Sequence, residues 1–377
     1  MIMRLLKRTD WLLLGSAVLV SLAGLSVIYG FGEDDSLALR QMLWLLLGIG
    51  VFFALSVVDF RFLRRTSVVV VLYSLAIAAL LLLFVVGSAF QGAQSWFNFG
   101  LFAVQPADPA KVALIILLAK YFSRRHIEIA HLKHIVVSGA YMFLMFALLF
   151  FQPDLGSAMI IASLWVGMVL IAGIPLRHLA LIFGIGVATI ALLWTFAFAP
   201  YQKARIIAFI HPLADISGVG YNAFQSTVAV GSGGLLGKGI GYGTQSRLEF
   251  LPEHETDFIF ASFAEEWGFI GVFLLLSLLG LLLVRLVANA REGATNFETL
   301  FILGVATLLV THTVIHVGMN IGLLPVTGIP LPFMSYGGSH IITGYAMLGV
   351  VNAMRQYRRA VHADKPHEVI GISPTLS

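Results

Sequence analysis

The sequence predicts an all-α, polytopic membrane protein with ten transmembrane helices, and three observations predict it. Hydrophobic residues are 59% of the 377 and charged residues 11%, against roughly 45–50% and about 25% in soluble domains, and mean hydropathy is +0.94. The apolar residues gather into runs of membrane length, and most basic residues fall in the gaps between alternate runs.

A hydrocarbon core of ~30 Å takes about 20 residues of helix. The stretches 11–30, 41–58, 67–87, 107–122, 135–151, 157–174, 178–199, 267–286, 298–318 and 334–354 supply them. The first follows a basic start, MIMRLLKRTD, but its apolar run continues from Trp11 to Tyr29 without an A-x-A site, so it reads as a retained span. Assigning alternate gaps to opposite sides brings together Arg4, Lys7, Arg8, Arg61, Arg64, Arg65, Arg124, Arg125, Lys133, Arg177, Arg285, Arg291, Arg355, Arg358, Arg359 and Lys365, sixteen of the 23 Lys and Arg residues. By the positive-inside rule that side is cytoplasmic, and both termini lie there. Basic cytoplasmic loops account for the net charge of +4, so no nucleic-acid partner is implied. The absence of cysteine excludes disulfides, thiolate metal sites and a cysteine nucleophile. No period of 20–50 residues recurs, so 1–377 reads as a single transmembrane domain with a short cytoplasmic tail, 355–377.

The longest gap, 200–257 between the seventh and eighth spans, falls on the extracytoplasmic side and is too rich in glycine and apolar residues for a plain linker. Its first part, YQKARIIAFIHPLAD (201–215), puts Lys203 and Arg205 at a membrane boundary, as interface anchors or as contacts to an anionic head group or pyrophosphate. Its second, GSGGLLGKGIGYG (231–243), is no Walker A: with Gly237 and Lys238 in register, Ser232 stands at the first glycine position and Gly239 at the Ser/Thr position. Close backbone packing and a backbone cradle for a non-nucleotide phosphate both stay open. The third part gathers Glu249, Glu253, Glu255 and Asp257 within nine residues. Glu255 reads as part of a solvated face. Asp257 stands where the polar loop becomes the next helix; it is either that helix's N-cap or a base, since an apolar, aromatic flank raises a carboxylate's pKa.

Three further segments interrupt the hydrocarbon. In QPADPAK (105–111), Asp108 and Lys111 are three apart and share a helical face, so they can pair toward the bundle interior, where a lone charge costs about 2.5–3.5 kcal/mol. In FQPDLGSAMI (151–160), Asp154 is placed to cap a helix. The segment 324–340, LPVTGIPLPFMSYGGSH, is too broken by proline and glycine to span regularly, and reads as a re-entrant cap over a site.

Together the strings QPADPAK, FQPDLGSA, GYNAFQSTVAVGSGGLLGKGIGYGTQSRLEFLPEHETDFIF, AEEWGFIG and LPVTGIPLPFMSYGGS resemble those of the SEDS family of bacterial membrane proteins, the peptidoglycan glycosyltransferases. The resemblance runs from about residue 10 to 355, and the GTQSRLEFLPE wording is closer to the elongation (RodA) branch than to the division (FtsW) branch. It implies a ten-helix fold in the bacterial inner membrane and polymerisation of lipid II at the outer face. It also implies a class B penicillin-binding protein as transpeptidase partner. The family's essential aspartate, in its TDFIF motif, falls on Asp257. The chain departs from the family's pattern at Asp108, where Glu is usual, at Ser95, where Arg often precedes the tryptophan, and in the order His254-Glu255.

On that reading Asp257 is the general base of an inverting glycosyl transfer, and Lys111, Arg205 and Lys238 are candidates to stabilise the pyrophosphate leaving group. Asp108, Gln245, Glu249, Glu253, Ser335 and Tyr336 complete the substrate-binding candidates. A divalent cation, Mg²⁺ or Mn²⁺, held by Asp257 and a neighbouring glutamate could replace or assist the basic residues. The rival functions are a lipid II flippase and a non-catalytic scaffold for the transpeptidase.

Overall fold

Helices form wherever the apolar runs are long. The computed structural model describes residues 8–31, 35–90, 93–98, 100, 103–124, 132–211, 219–247, 250–251 and 253–363. Over these residues the helices are, in order, Trp11–Gly30 (α1), Asp35–Ser56 (α2), Thr66–Val86 (α3), Ala107–Ser123 (α4), Leu132–Phe151 (α5), Leu155–Ile171 (α6), Leu176–Phe196 (α7), Pro200–Ile210 (α8), Val219–Ser232 (α9), Ile259–Arg291 (α10), Asn296–Asn320 (α11) and Gly338–Ala363 (α12). Seven of them, α1, α2, α3, α5, α7, α10 and α11, are long and apolar enough to cross a membrane. Of the others in the expected set, α4 carries Asp108, Lys111 and Lys120, α6 has 17 residues, and α12 ends in a basic stretch.

The structure departs from the all-α expectation in the gap before α4. There Ser88–Phe90 (β1), Ala93–Asn98 (β2) and Ala103–Val104 (β3) form an antiparallel sheet in the order β1-β2-β3. Strand pairing gives this short segment partners for its peptide groups without a helix. The stretch 200–257, expected as a loop, contains α8, α9 and a helical turn at Thr244–Arg247.

Helix α4 is the centre of the bundle, buried on nearly every face; α3 and α11 pack against it, α11 also meets α6 and α10, α10 meets α1, and α2 meets α12. Helix α7 is the opposite case. Its Leu181, Phe183, Ile185, Val187, Leu192 and Phe196 are all exposed, an all-round apolar surface suited to lipid. At the far end of α10, Asp10 caps α1 through the Leu13 N–H (3.2 Å) and pairs with Arg285 (2.7 Å), while Arg64 pairs with Glu298 of α11 (2.6 Å).

Helix α10 is interrupted at Gly268, where φ is 65° and ψ −168°, a conformation open essentially to glycine alone. Interruption frees peptide groups on both sides, and the glycine-rich segment takes them up. Lys238 N–H donates to the Glu265 carbonyl (2.9 Å) and Gly239 N–H to that of Glu266 (3.0 Å), while Phe269 and Ile270 N–H donate to the carbonyls of Gly234 (2.9 Å) and Leu235 (3.2 Å). Backbones can approach this closely only without side chains: a Cβ on Gly237 would lie 2.1 Å from Glu266 O, and one on Gly268 2.2 Å from Gly237 N. Of the two readings left open for this segment, close packing is the one observed. The N–H groups of residues 237–239 and 241 are already bonded within the protein, so they offer no cradle for phosphate.

Substituting Gly268→Ala is expected to destabilise the protein by about 1–3 kcal/mol from its backbone conformation alone, read as a lower midpoint of thermal unfolding in detergent. Gly280→Ala, with nothing within 4 Å of its Cβ, is expected to leave that midpoint unchanged or raise it, because glycine weakens a helix interior.

Candidate functional site

Asp257 lies in a tight turn that ends one residue before α10 begins. Glu253 adopts φ 52°, which turns its carbonyl to accept the N–H groups of Thr256 (3.2 Å), Asp257 (3.0 Å) and Phe258 (3.2 Å). Thr256 Oγ1 also donates to the Glu253 carboxylate (3.2 Å). The N-cap of α10 is Phe258, without a side-chain cap bond, so Asp257 does not cap the helix. Phe258 and Leu251 are buried with Ala229 of α9 and Ala261 of α10 in a small apolar cluster of their own.

The turn is docked on the irregular segment between α11 and α12. Tyr336 N–H donates to the Glu255 carbonyl (2.9 Å), and Ser335 Oγ donates to the Thr256 carbonyl (2.8 Å) while accepting the Leu331 N–H (2.9 Å). Gln41 of α2 closes the arrangement by donating to the Ser335 carbonyl (3.1 Å). The Asp257 carboxylate lies against Gly328, whose φ is 72° and where a Cβ would come 3.3 Å from Oδ2. Burial pushes the Asp257 carboxyl up to about 7, the negative charge of Glu253 adds to the effect, Arg205 opposes it and Glu255 adds again. A carboxylate poised near neutrality is suited to accept a proton at working pH.

The cations expected at the site are differently placed. Arg205 of α8 acts electrostatically on Asp257 and lines a cavity of about 330 Å³ with Phe209, Phe224, Thr227, Ile321 and Pro325. Lys111 is paired with Asp108 (3.1 Å), both deeply buried; Ser339 Oγ donates to the same carboxylate (3.3 Å), and His340 stands 3.7 Å from it. Lys238 is paired with Glu265 (2.6 Å), whose carboxylate also accepts the N–H groups of Thr244 (2.9 Å) and Gln245 (3.2 Å). Lys238 and Gln245 therefore belong to a knot that closes the glycine-rich segment onto α10. Asp154 caps α6 through the Ser157 N–H (2.9 Å). Glu249 lies outside the described residues.

Ser335, Tyr336, Glu253 and Asp257 are thus brought together, with Arg205 beside them; Asp108 with Lys111, and Lys238 with Gln245, form two separate groups. Among the described residues no three His, Asp or Glu side chains converge as a metal site requires. Reading the sequence missed Glu265, His312 and His316. The signal was there: Glu265 sits in an apolar run, and two histidines four apart occupy the span 298–318, where a polar side chain is costly without a partner. His312 Nδ1 meets the Pro330 carbonyl (3.2 Å) and His316 Nδ1 that of Ile329 (2.6 Å).

A family profile described as cell cycle protein, covering FtsW, RodA and SpoVE, matches residues 3–360. The peptidoglycan glycosyltransferase MrdB of Escherichia coli (strain K12) is 36% identical over 288 residues, which is 76% of this chain and 78% of that one. Among solved structures, a chain of a peptidoglycan synthase complex that coordinates polymerization and crosslinking superposes with a TM-score of 0.79 at 32% identity, over 93% of this chain and 98% of that one. The rod shape determining protein RodA of Thermus thermophilus superposes at 0.70 and 31% identity, over 93% and 97%.

The raised Asp257 carboxyl makes a stability prediction. The folded chain holds this proton up to about 7, against an ordinary value of 3.8, so wild type loses stability as pH rises through that window. Asp257→Asn lacks the titrating group. Its unfolding midpoint relative to wild type is expected to climb between pH 4 and pH 8; a pH-independent difference would show that burial does not hold the proton.

Proposed function

The chain belongs to the FtsW, RodA and SpoVE family of cell cycle proteins, the SEDS family, and on that premise we propose that it is a peptidoglycan glycosyltransferase acting in cell elongation. The activity is the one its relatives are named for. Helices α1–α7 and α10–α12 make ten spans of the bacterial inner membrane, with both termini inside and the Asp257 turn facing outside. The distribution of basic residues supports that orientation.

The substrate is lipid II, a disaccharide peptide on undecaprenyl pyrophosphate. The 4-hydroxyl of an acceptor GlcNAc attacks the anomeric carbon of a donor MurNAc. The hydroxyl proton passes to the Asp257 carboxylate, and the bond from the anomeric carbon to the pyrophosphate oxygen breaks with its electron pair on the leaving group. One displacement converts the α-linked donor into a β-1,4 product, the logic of inverting enzymes in which a carboxylate activates the attacking oxygen. The observation that carries this reading is the half-buried Asp257, its carboxyl raised to about 7 and fixed against the irregular segment.

Among the three cations, Arg205 is favoured for the leaving group, because it lines the cavity and acts electrostatically on Asp257. No step is routed through a metal. The likeness to the synthase-complex chain supports a crosslinking partner, which we assign as a class B penicillin-binding protein.

The test is polymerisation of lipid II in detergent by the purified protein, alone and with the transpeptidase, with glycan strands resolved on a gel. Wild type is expected to make strands and a folded Asp257→Asn to make none. Arg205→Gln is expected to lower kcat about 100-fold, the usual scale for losing one group that stabilises developing charge. Undiminished polymerisation by Asp257→Asn would remove the base assignment, since an amide cannot take the proton. Strands from none of the samples would favour a flippase, and loss of product on adding EDTA would require a metal.

A further inference from the structure

Asn320, the last residue of α11, is fully buried, and its carboxamide meets the start of α10 at two points. Nδ2 donates to the Asp257 carbonyl (3.1 Å), and Oδ1 accepts the Ala261 N–H (3.2 Å). In a regular first turn those two groups, four residues apart, would bond each other. A side chain from another helix is interposed between them, and α10 starts at Ile259 with Asp257 left outside. The residue is itself braced: Nδ2 also donates to the His316 carbonyl (2.8 Å), and Ser226 Oγ of α9 reaches both the Asn320 backbone carbonyl (2.8 Å) and Oδ1 (3.3 Å).

Residues 312, 316 and 320 recur at the four-residue spacing that puts side chains on one helical face. His312 and His316 take the carbonyls of Pro330 and Ile329, the residues directly after Gly328. Gly328 is in turn the surface against which the Asp257 carboxylate rests. One face of α11 therefore holds both the backbone that carries the aspartate and the backbone that the aspartate leans on.

We infer that Asn320 is a positioning residue for Asp257: by standing in for the first hydrogen bond of α10, its carboxamide keeps the aspartate off the helix and against Gly328, in the orientation that proton transfer needs. The inference rests on the glycosyltransferase reading. Removing the amide lets the Asp257 carbonyl and the Ala261 N–H close on each other, drawing the aspartate into the helix start. There N–H donors favour the charged carboxylate.

The experiment compares wild type, Asn320→Ala and Asn320→Gln, each purified with its transpeptidase partner. Lipid II polymerisation is measured alongside the ionisation of Asp257, followed by infrared difference against Asp257→Asn in the same background. Asn320→Ala is expected to lower kcat about 100-fold, the scale that a displacement of about 1 Å brings, with KM for lipid II little changed. The Asp257 ionisation is expected to move below about 7. The groups that act on it, Glu253, Glu255 and Arg205, are untouched, so the shift reports position. Asn320→Gln keeps both polar groups one methylene farther out and is expected to fold and to lose kcat as well. If Asn320→Ala does not fold, the same two readings on the Gln variant decide. A folded variant with wild-type kcat, or with reduced kcat but Asp257 still ionising near 7, would reduce Asn320 to a structural residue and overturn the inference. A wild type that makes no glycan would sink the glycosyltransferase reading, while the infrared shift still decides whether Asn320 positions Asp257.

Discussion

Irregular backbone inside a helical membrane protein survives only where each peptide group finds a partner in the protein, and the site depends on how the segment between α11 and α12 meets that demand. Its carbonyls and N–H groups are taken by side chains from three directions: His312 and His316 from α11, Gln41 from α2, and Ser335 from within. The Tyr336 N–H and the Ser335 hydroxyl are turned toward the acidic turn and hold its carbonyls. A carboxylate attached to a turn held in this way has few positions to adopt. The same enclosure thins the water around it and raises its proton affinity. Positioning and pKa thus have a common origin.

The second irregularity follows the same rule. At Gly268 the ladder of α10 is broken, and the glycine-rich segment satisfies the freed groups with its own peptides. Glu265 then fastens that segment through Lys238, Thr244 and Gln245. The outcome ties the segment that follows α9 to the first turns of α10. Positive charge near the turn is correspondingly sorted: Lys238 and Lys111 are each matched to a buried carboxylate, which avoids the cost of a lone buried charge. Arg205 lines the cavity and acts electrostatically on Asp257.

Much of this was legible in the residues. Apolar run length announced the long helices, the spacing of Asp108 and Lys111 announced their pairing, and the acidic cluster drew attention to Asp257. The extents were less legible. The helix read as opening at Asp257 does begin at Ile259, but its membrane span was placed at 267–286, because Glu265 and Glu266 are accommodated by partners from the glycine-rich segment that hydropathy cannot anticipate. The sheet before α4 escaped notice because its strands are two to six residues long. Lys238 looked like a ligand because its partner, Glu265, lies 27 residues away in sequence. The role of Asn320 was invisible for the same reason: its contacts to Asp257 and Ala261 span about 60 residues, and nothing in the local pattern marks a lone asparagine at a helix end as the partner of a distant turn.

The central claim is that Asp257 is a base made effective by its burial. The most direct test is the pH dependence of kcat for lipid II polymerisation between pH 5 and 9, in the complex with its transpeptidase. The account predicts a rise with pH governed by one ionisation near 7, the value to which burial pushes this carboxyl. A rate flat across that range, or a limb set by an ordinary carboxylate near pH 4, would contradict it.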